Sequence, residues 1–437
     1  MITRPIPEPD GLTSLRSLQQ LIKQRNLLAA LRVFHADLGD VFRISLPGLQ
    51  TIMLAGAEAN RFVLVEARDK LHWRTEDDPV TSLLRDGVLV TDGEAHDALR
   101  NSMNRPMHKQ SLTQYVETMV TCTDAVIDNW SPNQPMDMLV EMRKVALMIL
   151  TETLFKVDIA PDMDRMWQPI LKTIQYISPG LWILWKQVPR PGYAGRIREM
   201  NDYLYQIIDA RRAIIHEGEA NDLLGILIAS GMNNDLIRDQ LLTMLIAGHD
   251  TSTALLAWAL YMLTTHPVVM EQVKQEVDTV LGTTPPTIDN ISQLSYLGQV
   301  IDETLRMYPP IHLGSRHITE DLEFDGFVLP AGIRLMYSIY LTHYHPKYWD
   351  DPDTFNPERF STQNKRKIAP YTYLPFGGGA RNCIGTAFAL VESKVILARI
   401  IQRFDLSFTG HHVKMKMGAT LEPHPNVMVN VRKRLTD

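Results

Sequence analysis

The chain has 437 residues, two cysteines, Cys122 and Cys383, and a formal net charge of -6. The cysteine count excludes a disulfide framework and any zinc or iron–sulfur site made from cysteines alone. The charge gives no basic footprint for nucleic acid, and no linker, repeat or low-complexity stretch divides the chain, so a single domain over 1–437 is expected.

The first twelve residues are polar and proline-rich, without the charged start and apolar core of a signal peptide, so a soluble cytoplasmic protein is expected. His96 and Arg100 are spaced by four and share one face of a predicted helix. A solvated surface would look the same. Between Ser178 and Pro191 lies an apolar patch, Trp182, Ile183, Leu184 and Trp185. It suits an entry channel, peripheral contact with a membrane, or packing between two helices.

A long helix is expected from Asn234 or Asp235 to about Thr265, where Pro267 stops it. Its stretch Leu241–Leu263 is long enough to span a bilayer, but His249 and Asp250 near the middle oppose insertion, which favours a buried core helix. At its centre stand Ala247, Gly248, His249, Asp250, Thr251 and Ser252. Gly248 costs about 1 kcal/mol relative to alanine there. Thr251 can hydrogen-bond the carbonyl of Ala247 and loosen the turn. A small residue, an acid and an alcohol at a weakened turn make a pocket with a proton path, or a polar helix crossing.

Glu303 and Arg306 are three apart on a helix that Tyr308, Pro309 and Pro310 end, and Arg359 is the natural third partner. Their expected role is structural. The segment Phe376–Gly385 then places Cys383 after Gly377, Gly378 and Gly379 and ahead of an apolar helical run. Such a position lowers a thiol's pKa and turns backbone N–H groups toward the sulfur, which suits a metal-bound thiolate. With no cysteine partner for such a site, a metal held by Cys383 must take its other ligands from a cofactor.

Together these motifs resemble the cytochromes P-450, the haem-thiolate monooxygenases. The match runs from Asp92 through the Cys383 loop, and a strand-rich region near Val41–Leu54 and a hairpin around Asp325 and Gly326 are similar to the family's small sheet region. The resemblance implies a mainly α fold with a smaller β region, a triangular prism with its long central helix over haem b. It implies Cys383 as the axial ligand of the haem iron, within a loop that includes Phe376 and Gly385. His96, Arg100, Arg316 and Arg381 would hold the propionates. Ala247 and Gly248 would leave room for dioxygen, and Asp250 and Thr251 would relay protons. Glu303, Arg306 and Arg359 would lock the fold on the cysteine side.

By the same resemblance, one oxygen atom from O2 is inserted into an apolar substrate. Electrons come ultimately from NAD(P)H through a separate ferredoxin, flavodoxin or diflavin reductase, with no fused reductase domain. Lys365, Arg366 and Lys367 with Arg105 and Lys109 offer a basic docking face, or simply a solvated one. Trp73, Leu83, Leu84, Trp182, Ile246, Ile311, Leu313 and Leu421 would line the pocket, suiting a fatty acid or terpenoid-like lipid. A monomer is expected. A peroxide-driven peroxygenase and a haem-based sensor are the alternatives; Asp250 and Thr251 argue against the first, and the second needs no proton relay.

Overall fold

Every residue from Ile237 to Leu263 is buried except Ala247, Gly248 and Thr251, and around this rod the rest of the protein is built. The structure is a computed structural model, and it describes residues 4–46, 49–75, 78–107, 109–132, 134–179, 190–214 and 221–434. The helices used below are α1 (Gly11–Gln24), α2 (Leu27–Leu38), α3 (Gly93–Asn104), α4 (Met138–Leu150), α5 (Asn234–Leu245), α6 (Thr251–Thr265), α7 (Ser295–Met307) and α8 (Thr386–Arg403). The long helix starts at Asn234, as the sequence suggests, with Asn233 as its cap, whose side chain accepts from the N–H of Leu236 at 2.8 Å. Between α5 and α6 the turn Ile246–Asp250 widens into a π-helix. Such turns occur where a helix gives up ideal hydrogen bonding.

The five-stranded sheet contains β1 (Val41–Leu46), β2 (Leu49–Leu54), β3 (Leu71–His72), β4 (Leu313–Ile318) and β5 (Arg334–Ser338), in the order β1-β2-β5-β4-β3. Only the β2–β5 pairing is parallel, with Thr51 opposite Arg334. Alternation along the strands serves two cores at once. Phe42 and Met53 face the main helical core, whereas Val41, Ile52 and Leu54 face a smaller one shared with Leu71, Ile318 and Leu335. The hairpin Leu322–Phe324 with Phe327–Leu329 turns through Asp325 and Gly326, both at positive φ, as a two-residue turn demands. A second hairpin pairs β6 (Lys414–Met417) with β7 (Leu421–His424) and leans on α6, where the Trp258 indole N–H donates to the Leu421 carbonyl at 2.8 Å.

Among the described residues no single helix is long and apolar enough to cross a membrane. Those residues also hold a close group of metal-ligand type, His35, Asp40 and His345. Both rings contact the same Asp40 oxygen, at 2.7 and 3.1 Å, while Nδ1 of His345 accepts the backbone N–H of Lys347 at 3.0 Å. The proton of His345 therefore sits on Nε2 and faces Asp40, which makes this a staple between α2 and the 345–349 turn.

Candidate active site

The cysteine loop is shaped by glycines at two positions. Gly377 and Gly379 take positive φ, and a Cβ on Gly379 would overlap the carbonyl of Leu64. Gly378 is extended and needs no such freedom. Within the loop the Cys383 N–H donates to the Phe376 carbonyl at 2.7 Å, and the Thr386 hydroxyl donates to the Cys383 carbonyl at 2.8 Å. A Cβ on Gly385 would stand 3.8 Å from the sulfur. Cys383 is accessible to solvent although burial dominates its electrostatics, which fits a residue on the wall of an internal space.

One expectation is corrected here. Burial pushes the Cys383 thiol above its usual range, and the Gly385 N–H, the Thr386 hydroxyl and Arg100 only partly oppose it. The cysteine precedes the first turn of α8 instead of opening it, so the helix dipole gives less help than a cap position would. A metal that coordinates the sulfur supplies the missing stabilisation of the anion. Cys122, by contrast, is buried in the main core with its thiol pushed up to about 12.

Around the loop the structure gathers cations. Arg68, Arg316 and Arg381 line one small recess with Val63, Leu64 and Leu71. Arg381 also reaches the Asp92 carboxylate, and burial, with Arg316 and Arg68 nearby, lowers it to about 10 against the pull of Asp92. Arg100 donates to the Asn382 side chain at 2.7 Å, tying α3 to the loop. Nδ1 of His96 lies 2.8 Å from Asp97, so its Nε2 is left for another partner. Asp97 holds Arg68 as well, at 2.9 Å. Asp92, at the N-cap position of α3, makes no capping bond with its side chain and accepts from the N–H groups of Trp73 and Arg74. Three arginines this close, with Asp92 and Asp97 against two of them, fit an anionic guest such as the two propionate carboxylates would be. Arg68, Asp92 and Asp97 were not singled out in the sequence, because nothing in their spacing marks them.

On the central helix the Thr251 hydroxyl donates to the Ala247 carbonyl at 2.6 Å. Ala247 is exposed on a rod otherwise buried except at Gly248 and Thr251, so the helix opens at this turn. Gly248 does a different job, since a Cβ there would meet Leu150 Cδ1 at 2.6 Å. It lets α4 approach. Asp250 is nearly inaccessible and is held from two sides, by Arg143 of α4 at 2.9 Å and by the Thr420 hydroxyl at 2.8 Å. Arg143 also pairs with Glu422 of β7. His249 places Nε2 3.2 Å from the Arg143 carbonyl, and burial lowers it to about 4, so it is neutral.

In the ionic lock Glu303 and Arg306 are fully buried and Arg359 is partly so. Glu303 accepts from Arg306 Nε at 2.7 Å and Nη2 at 2.9 Å, from the Asn356 N–H at 3.0 Å, and from Arg359 Nε at 3.3 Å. His343 connects this lock to the cysteine loop. Its Nε2 accepts the Leu374 N–H at 2.9 Å, so Nδ1 carries the proton and donates to the Arg306 carbonyl at 3.0 Å. Burial holds His343 down at about 3, keeping this tautomer.

Of the residues named for the substrate, Leu84 and Leu421 are fully buried and Leu83 nearly so, which places them in the core packing. A side chain facing an internal space would retain accessible area. Ile246 is buried at the π-turn, Trp73 and Leu313 are partly buried, and Ile311 is exposed. Trp182 and its neighbours lie outside the described residues.

Glu392 of α8 is a buried acid that the helical pattern concealed. Its contact is the Ser252 hydroxyl at 2.6 Å, and burial raises it to about 8 from 4.5. Between those values the folded state keeps a proton that the unfolded chain has lost. This contribution to stability is therefore full below pH 4.5 and falls as pH rises to about 8. Glu392→Gln keeps the hydrogen bond and removes the titration. Its Tm should match the native protein's in acid and exceed it at about pH 8, by an amount equivalent to more than ~1 kcal/mol.

A cysteine loop beside an arginine cluster, with a central helix that opens at a small residue and an alcohol, fits a haem-thiolate protein. The cytochrome P-450 family model matches residues 6–431. The chain is 35% identical over 402 residues to cytochrome P-450 139 of Mycobacterium tuberculosis, covering 87% of this chain and 92% of that protein. It is 32% identical over 343 residues to human cytochrome P-450 3A7, covering 75% and 64%. The crystal structure of the cytochrome P-450DA heme domain superimposes with a TM-score of 0.89 at 26% identity, covering 100% of this chain and 99% of that one. The chain belongs to the cytochrome P-450 family and is a haem-thiolate monooxygenase. The mostly helical fold with a smaller sheet region is that of the family. Like its family, it uses haem, dioxygen and electrons supplied from outside.

Proposed function

We propose that the protein oxygenates a fatty acid or terpenoid-like lipid, with Cys383 as the axial ligand of haem b. The observation that carries the reading is the accessible sulfur of Cys383 inside the protein, together with the break in burial at Ala247, Gly248 and Thr251 on the central helix. When bound, haem supplies an iron centre whose thiolate ligand favours cleavage of dioxygen. His96 through Nε2, with Arg68, Arg100, Arg316 and Arg381, would pair with the propionates. The Thr251 hydroxyl would hold a proton at the open turn, and Asp250 would replenish it when its carboxylate turns from Arg143 and Thr420. Ile311, Leu313 and Trp73 would give the guest an apolar margin. Titration with fatty acids and terpenoids should shift the haem Soret band, and a spectrum unmoved by either class would contradict the lipid assignment.

Electrons would come from NAD(P)H through a separate ferredoxin, flavodoxin or diflavin reductase. Arg105, Lys365, Arg366 and Lys367 are exposed, with Lys365 paired to Asp302 at 2.6 Å; the Lys109 side chain lies outside the described residues. Arg366→Glu with Lys367→Glu should slow reduction by an acidic partner about tenfold at low salt, and the difference should shrink as salt rises. Unchanged rates and salt dependence would remove the docking role.

A further inference from the structure

We propose that α1 is a lipid-surface helix that seats the protein on an anionic membrane. Its polar side chains Thr13 and Ser17 face inward, and the Thr13 hydroxyl contacts Asp37 of α2 at 3.1 Å. Four of its five large apolar side chains face out, and Leu21 is half-buried. Leu12 and Ile22 are each 67% exposed, Leu15 52% and Leu18 50%, and they fall on one arc of this 14-residue helix. Scattered exposed leucines are ordinary, but four on one helical arc, opposite a buried polar face, invert the usual arrangement. The inversion needs an apolar partner.

Charge selects which partner. From Gly11 to Arg25 there is no acid, while Arg16, Lys23 and Arg25 border the apolar arc in a protein whose net charge is -6. Arg16 is matched by Asp37 at 2.9 Å, whereas Lys23 and Arg25 have no ion pair among the described residues. A second copy of the chain would bring these cations against one another around a two-fold axis. An anionic lipid surface accepts both features, taking the apolar arc below the headgroups and the cations among them. The sequence suggested membrane contact near Trp182; this helix is a different element and stands independently of the haem site.

The test uses the full-length holoprotein with sedimentable vesicles of phosphatidylcholine, pure or containing about one third phosphatidylglycerol. Partitioning should be at least about tenfold stronger on the anionic vesicles and should weaken with salt. Leu15→Glu with Ile22→Glu, both at exposed positions, should abolish sedimentation while leaving Tm and the haem spectrum unchanged. Lys23→Gln with Arg25→Gln should remove the preference for phosphatidylglycerol. The proposal is overturned if the native protein ignores the anionic vesicles or if the double glutamate variant still sediments. A dimer that the glutamates split would overturn it too, since the stripe would then belong to a second copy.

Discussion

Arg306→Met should leave little folded holoprotein. The substitution strands Glu303 without the guanidinium that supplies two of its four hydrogen bonds, at a position with no solvent access. Removing one partner of a buried ion pair costs about 3 to 5 kcal/mol, a large fraction of the stability of a typical domain. The damage should also reach the haem site, because the lost Arg306 Nη1 donates to the His343 carbonyl at 2.9 Å, and His343 holds the Leu374 N–H two residues before Phe376. Thermal unfolding and haem content measured together would show a depressed Tm and poor haem retention. A variant with native Tm and full haem content would show that the lock is dispensable.

Asp250→Asn should have the largest effect on turnover. The carboxylate is the acidic group at the π-turn, and its partners Arg143 and Thr420 hold it buried one residue from Thr251. An amide preserves the shape and can still accept from Thr420, but it cannot cycle a proton. General acid–base groups contribute typically 10²- to 10⁴-fold, so product formation should fall by about a hundredfold or more with haem content and thiolate spectrum intact. Thr251→Val removes the hydroxyl at nearly constant volume. It should divert electrons to peroxide while consumption of reduced cofactor continues. Native product yield from both variants would remove the acid and the alcohol from the reaction.

The parts of the site that were legible in the sequence are those whose partners are near in the chain. Ala247, Gly248 and Thr251 announce a disturbed turn by composition alone, and the turn is there. Glu303 and Arg306 are one helical turn apart, as their spacing requires. What stayed hidden depends on contacts across long separations. Arg143 meets Asp250 across 107 residues, and His343 meets Leu374 across 31. Neither leaves a local pattern. Glu392 sits in a helix whose apolar period is strong enough to absorb one acid without comment.

The apolar residues proposed for the substrate show a different limit. Hydrophobicity marks a side chain as buried, and it does not distinguish a core from the wall of an internal space. Leu84 and Leu421 went to the core, while Ala247, named for the room it leaves and not as an apolar wall, is exposed. The outward stripe of α1 was missed for a related reason, because a periodic pattern does not reveal which face turns inward. The thiol of Cys383 adds a third case. Its loop was expected to favour the anion, but the bulk of protein around it matters more than the N–H groups beside it.

The visible spectrum of the reduced carbon monoxide complex tests the central claim most directly. With Cys383 bound to the iron as a thiolate, the Soret band should show the strong red shift of that ligand, and Cys383→Ser should abolish it. An unshifted band in the native protein, or a shifted band that survives Cys383→Ser, would contradict the assignment of Cys383 as the haem ligand.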